Sequence, residues 1–90
     1  QLNMANRKHL KKSIKAVTSE LLADCVMLSL CQQGQQEVID RIMAEILELH
    51  NDYVARISHT EKGQEKLFYK KLREEFAAKV CDLSERLIKA

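Results

Sequence analysis

Proline and tryptophan are absent from this 90-residue chain, and glycine occurs only at Gly34 and Gly63. With so few breakers, little in the sequence stops a helix once it has started. Four aromatic residues, Tyr53, Phe68, Tyr69 and Phe76, are too few to build a stacking platform for single-stranded nucleic acid. No apolar run approaches the ~20 residues of a membrane span. The cysteines, Cys25, Cys31 and Cys81, are odd in number and contain no CxxC pair, and no HxxxH occurs. That argues against a disulfide framework and a zinc site, and for reduced thiols in apolar helical surroundings. Glu-x-x-His repeats are missing, which removes the carboxylate-bridged di-metal bundle. No phosphate-cradling glycine loop, nucleotide fingerprint or nucleophile–base pair is present. The chain therefore reads as non-enzymatic and free of cofactors and metals.

What remains is 46% hydrophobic and 31% charged, rich in Leu, Ile, Ala, Glu and Lys, and without the polar bias of a disordered chain. Ninety residues make one domain. Residues 1–5 are expected to form a tail outside it, and the triplet before Met4 carries no weight. One decoy needs removal: "NRKHLKKSIK" followed by "LLADCVMLSLC" imitates a basic leader, an apolar core and a lipoprotein-type cleavage box. Glu20 and Asp24 interrupt the apolar run, and Leu30 is too large for the position before the modified cysteine. The expected location is the cytoplasm.

Apolar residues recur at helical spacing almost throughout. The first stripe is Leu10, Ile14, Val17, Leu21, Cys25 and Leu28, with Asn6 as a candidate N-cap and Gly34 as the left-handed residue that ends the helix. The second is Ile39, Ile42, Ile46, Leu49, Tyr53 and Ile57, widened by Val38, Met43, Leu47, His50 and Val54. Glu37 and Asp40 suit its first turns electrostatically. "SHTEKGQ" then breaks the pattern, and Ser58 or Thr60 is positioned to cap the next helix, Ser58 with Glu61 as a capping box. The third stripe is Phe68, Leu72, Phe76, Val80, Leu83 and Leu87, closing with Arg86 and Lys89. Short connections force antiparallel neighbours. The predicted fold is an all-α, up-down-up three-helix bundle with helices over roughly 6–32, 36–58 and 62–89.

The stretch Leu21–Cys31, "LLADCVMLSLC", sits oddly in that scheme. Its apolar side chains point to every side of a helix, yet a bundle leaves each helix one solvated face. Leu22, Val26, Met27 and Leu30 lie off the core stripe, and contiguous apolar surface of this kind marks an interface. A homodimer packing this half of the helix across a twofold axis follows as the expectation, together with a further protein partner whose identity the sequence does not define. Burial by the loop and the chain end is the competing account. Asp24, near the core stripe, is a buried polar candidate: either an edge residue whose carboxylate reaches water or a basic side chain such as Arg41, level with it on the next helix, or a polar device that fixes dimer register. His50 and Tyr53, inside the second stripe, are the others. Thr18 and Leu72 are the expected neighbours of His50.

Charge is polarised although the net value is only +2. In an up-down-up bundle Arg7, Lys8, Lys11, Lys12 and Lys15 share one end with Arg56, Lys62, Lys66, Lys70 and Lys71. Asp52, Glu61 and Glu65 are the only acids there. Glu20, Asp24, Glu37, Asp40, Glu45 and Glu48 collect at the other end. Cations at a helix start oppose its dipole, so Arg7, Lys8, Lys11, Lys12, Lys15, Lys66, Lys70 and Lys71 form a candidate anion-binding surface. Nucleic acid is the alternative ligand class, without any recognition signature to support it. His9 and His59 approach one another at that end, but two histidines among lysines make a poor metal site. Asp52 and Arg56, four residues apart, suit a surface ion pair.

At "NRKHLKKSI", "SELLADCVMLSL" and "LHNDYVARISHTEKG…YKKL" the chain resembles a family of short all-helical bacterial proteins with no assigned activity. The resemblance runs over most of the length from Asn6. It implies a compact helical fold and a bacterial cytoplasmic protein, and it carries over no site residue.

Overall fold

The computed structural model describes residues 7–59 and 65–90. Three helices account for nearly all of them: α1 (Arg7–Leu30), α2 (Gln36–Ser58) and α3 (Glu65–Lys89). The central helix α2 packs against both of the others in a rod of 47 × 17 × 17 Å. This is the expected all-α three-helix bundle.

The core is a continuous seam of aliphatic and aromatic side chains. From α2 come Ile39, Ile42, Ile46, Leu49, Tyr53 and Ile57, all buried, as the periodicity predicts. α1 contributes Leu10, Ile14, Leu21 and Cys25, and α3 contributes Tyr69, Leu72, Phe76, Leu83 and Leu87. Two places differ from the predicted stripes. Tyr69, not Phe68, is fully enclosed; Phe68 is half-buried and packs against the core from outside. Thr18 takes a core position beside Val17, made tolerable because its hydroxyl donates to the Ile14 carbonyl at 2.8 Å.

α1 stops two residues earlier than the sequence indicates, and a different residue stops it. Gln32 takes the left-handed conformation at φ 54°. The Gln33 N–H reaches the Leu28 carbonyl at 2.9 Å and the Gln32 N–H reaches Ser29 at 3.1 Å, the paired bonds of a Schellman ending. Gly34, also at positive φ (76°), has another task. A Cβ there would lie 2.8 Å from the Ala90 backbone carbon, so its bare backbone lets the end of α3 pack against the α1–α2 turn. The Gln35 N–H donates to the Ala90 carbonyl at 3.2 Å across that contact.

Ser58 does not cap α3. It is the last residue of α2 and donates to the Val54 carbonyl at 3.0 Å. The other cap candidates, Asn6, Thr60 and Glu61, lie outside the described residues.

Polar contacts fasten α3 to α2 at two levels. Arg86 meets Glu45 with two parallel bonds, 2.7 Å and 2.5 Å, and turns a third contact to Asp82 at 3.5 Å. The buried ring of Tyr53 donates its hydroxyl to Glu75 at 3.0 Å, and Arg56 approaches the same carboxylate at 3.3 Å while lying 4.8 Å over the Tyr53 ring. At the start of α1, the Arg7 Nε donates to the Tyr69 hydroxyl at 3.4 Å, which sets the beginnings of α1 and α3 at the same end.

Candidate interaction surface

The second half of α1 shows water the apolar side chains that the sequence singles out. Val26 is 44% exposed, Met27 61% and Leu30 75%. Leu22 is the exception, half-buried against the core cluster. The reason is angular. At 100° per residue, Ala16, Ser19, Ala23, Val26, Met27 and Leu30 occupy about 100° of arc directly opposite the core stripe. All six are exposed. The outer face of α1 thus carries an uncharged strip that changes from small side chains to large ones as the helix runs on.

Further apolar surface adjoins it. Between α1 and α3 a groove of about 370 Å³ is lined by Leu21, Asp24, Met27, Leu28, Ser84, Leu87 and Ile88. Ile88 on its far lip is 84% exposed. The groove exists because α1 and α3 each lie closest to α2 rather than to one another. On the other flank, the Gln36 side chain donates to the Ser29 hydroxyl at 3.0 Å, which fixes how α1 and α2 align. That alignment sets the exposed Leu47 of α2 level with the middle of α1.

The groove also gives Asp24 an edge position open to water, one of the two readings of it. On the helical wheel this carboxylate lies near the core stripe, but the gap toward α3 leaves it exposed. Arg41, the basic side chain named for it, is exposed and helps lower the Glu45 carboxyl. His50 is half-buried with its Nδ1 3.0 Å from the Asn51 Oδ1, and the Thr18 hydroxyl is engaged within its own helix. Tyr53 alone of the three polar candidates is fully enclosed.

Titration behaviour follows these contacts. Burial, with the hydrogen bond to Glu75 behind it, pushes the Tyr53 phenol above its usual range. The same bond, aided by Arg56, holds the Glu75 carboxyl below the carboxylate norm. Glu45 is likewise lowered by its bonds to Arg86. Cys25 is raised by burial and by Asp24, whereas Cys31 and Cys81 are exposed free thiols. Asp52 and Arg56 form the expected surface pair at 3.3 Å. The Glu45–Arg86 and Tyr53–Glu75 contacts tie α2 to α3, and the Asp52–Arg56 pair lies within α2. Among the described residues no three His, Cys, Asp or Glu side chains are arranged to hold a metal ion, and His9 and His59 are both exposed.

Arg7, Lys8, Lys12, Lys15, Lys66, Lys70 and Lys71 are exposed and Lys11 is half-buried. The first turn of α1 contains no acid, and its last turn contains no base. Each end of α1 therefore lacks the charge that would complement its dipole. Sequence reasoning missed the Glu45–Arg86 and Tyr53–Glu75 contacts, whose members lie 41 and 22 residues apart. Tyr69 was recoverable, because it keeps the three-and-four spacing with Leu72, Phe76 and Val80.

No helix among the described residues is long and apolar enough to cross a membrane. No family model matches the chain, and no curated protein or solved structure matches it significantly.

Proposed function

We propose that this protein is a non-enzymatic helical interaction module that self-associates as a twofold dimer through the outer face of α1, residues 16–31. The observation that carries the reading is the exposure of Val26, Met27 and Leu30 side by side on one helix. Isolated apolar side chains on a surface need no explanation, but a contiguous set opposite the core does.

The magnitudes say what kind of dimer to expect. Full burial of a Val, Leu or Met side chain is worth about 1.5–3 kcal/mol, and these three keep roughly half or more of it unrealised, about 1–2 kcal/mol each. Counted over two copies that is about 6–12 kcal/mol, against an association cost of about 4–15 kcal/mol. The two ranges overlap, so these side chains alone give no large surplus over the cost. The dimer is accordingly expected to be weak and reversible.

Light scattering coupled to gel filtration across a range of loading concentrations tests this directly. The mass should rise from monomer toward dimer, and Leu30→Glu or Val26→Glu should hold it at the monomer while leaving helicity unchanged. The variants act by forcing an unpaired charge into the interface. A monomer mass at every concentration removes the proposal.

A second reading draws on the exposed cations around the start of α1, whose first turn contains no acid. There the basic end binds an anionic ligand, with nucleic acid as the class to test. Titration with mixed oligonucleotides at two salt concentrations separates the readings, because phosphate contacts give a steep salt slope. Absence of binding at low salt eliminates it.

A further inference from the structure

We infer that the two α1 helices of the dimer run antiparallel, with the twofold axis passing beside Ala23; this rests on the self-association reading above. Two independent features of the outer face select that direction.

The first is shape. Along the exposed strip, the small residues Ala16, Ser19 and Ala23 precede the large residues Val26, Met27 and Leu30. An antiparallel pair centred on Ala23 sets Leu30 against the partner's Ala16 and Met27 against the partner's Ser19. Ala23 meets its own counterpart. Leu30 and Met27 then each come level with a small residue, while Val26 comes level with the partner's Glu20, and the small residues at the crossing let the helix axes close to about 8 Å. A parallel pair sets Leu30 on Leu30 and Ala16 on Ala16, overfilled at one end and void at the other.

The second is charge. Lys8, Lys12 and Lys15 continue or border the same outer face toward the helix start, and all three are exposed. Parallel helices would bring these cations together with their own copies. In the antiparallel pair Lys15 comes level with the partner's Cys31 and Lys12 with the partner's Gly34. That is the α1 C-terminus, the negative end of a helix whose last turn has no base. Glu37, exposed in the first turn of α2, adds a carboxylate beside it. The arrangement brings toward each end of α1 a charge that its own terminal turn lacks.

Disulfide trapping distinguishes the geometries. In a Cys31→Ser, Cys81→Ser background, Ala23→Cys should form a covalent dimer under mild diamide oxidation, since Cα atoms facing across closely packed helices fall within disulfide reach. Cys25 is fully buried and does not compete. In the Cys81→Ser variant, Cys31 should stay unlinked, because sixteen residues along the helix separate it from its counterpart by about 24 Å. A size exchange gives a reading of opposite sign. Ala16→Leu should weaken the dimer tenfold or more, and adding Leu30→Ala should restore it. Trapping through Cys31, or a tighter dimer from Ala16→Leu, would overturn the antiparallel arrangement while leaving self-association intact. No dimer in any variant or in the parent would remove both.

Discussion

Replacing Gln32 by glycine tests the account of how α1 ends. Gln32 sits at φ 54°, in the left-handed region, where a residue with a Cβ is worse off by about 1–2 kcal/mol. Its side chain is exposed, and the two bonds that define the helix ending use only backbone atoms. Glycine therefore removes the strain and keeps every contact. It also gives the unfolded chain more freedom, which offsets about 0.5–1 kcal/mol. The net expectation is a gain of about 0.5–1 kcal/mol, or about 2–8 °C in Tm for a domain of this size.

Gly34, two positions later, gives the opposite sign. Alanine there brings a Cβ to 2.8 Å from one Ala90 backbone atom and 2.9 Å from another, at a φ of 76° that already disfavours it. The neighbours that must move are backbone rather than a flexible side chain tip. Gly34→Ala should cost about 1–3 kcal/mol. Urea unfolding followed by circular dichroism at 222 nm measures both, with the slope m unchanged if the transition remains two-state. The reasoning fails if Gln32→Gly destabilises. It fails equally if Gly34→Ala is neutral, since Gly34 would then be serving neither the turn nor the α3 contact.

Glu45→Gln should remove about 0.5–1 kcal/mol at neutral pH, the worth of a half-exposed but bidentate pair with Arg86. The native carboxyl is held below its ordinary value, so this contribution is complete above the unfolded-state pKa and is lost as pH falls through the native one. The gap between parent and variant should close on acidification, and a gap independent of pH would contradict the assignment. Of the three thiols, Cys31 and Cys81 should react rapidly with a thiol reagent in the native protein and Cys25 only on unfolding. Three fast thiols would contradict the burial of Cys25.

The central helix was legible in the sequence for a physical reason. α2 touches both neighbours, so its apolar arc is wide, and all six predicted residues of its stripe are buried. α3 touches mainly α2, and the narrower arc makes phase decisive. Phe68 was assigned to the stripe by its four-residue spacing from Leu72, although it lies about 100° from Tyr69, which is in step with Leu72 and Phe76. The ending of α1 was misread because glycine is the usual left-handed residue. Only the approach of Ala90, 56 positions away, shows that Gly34 is there for contact rather than for termination. Asp24 shows the limit of a helical wheel: the wheel sets it beside the core stripe without deciding between burial and an edge position, and the gap between α1 and α3 leaves it open to water.

The outer face of α1 was legible by the reverse logic. Periodicity reports where an amphipathic helix meets its own core, so a segment with no polar side carries a demand that its own core does not satisfy. A closed bundle could have met that demand by wrapping the segment in loop or chain end. Here the α1–α2 turn is committed to Ala90 instead, through Gly34 and the Gln35 N–H. The turn that follows α1 thus holds the end of α3, and Val26, Met27 and Leu30 stay exposed.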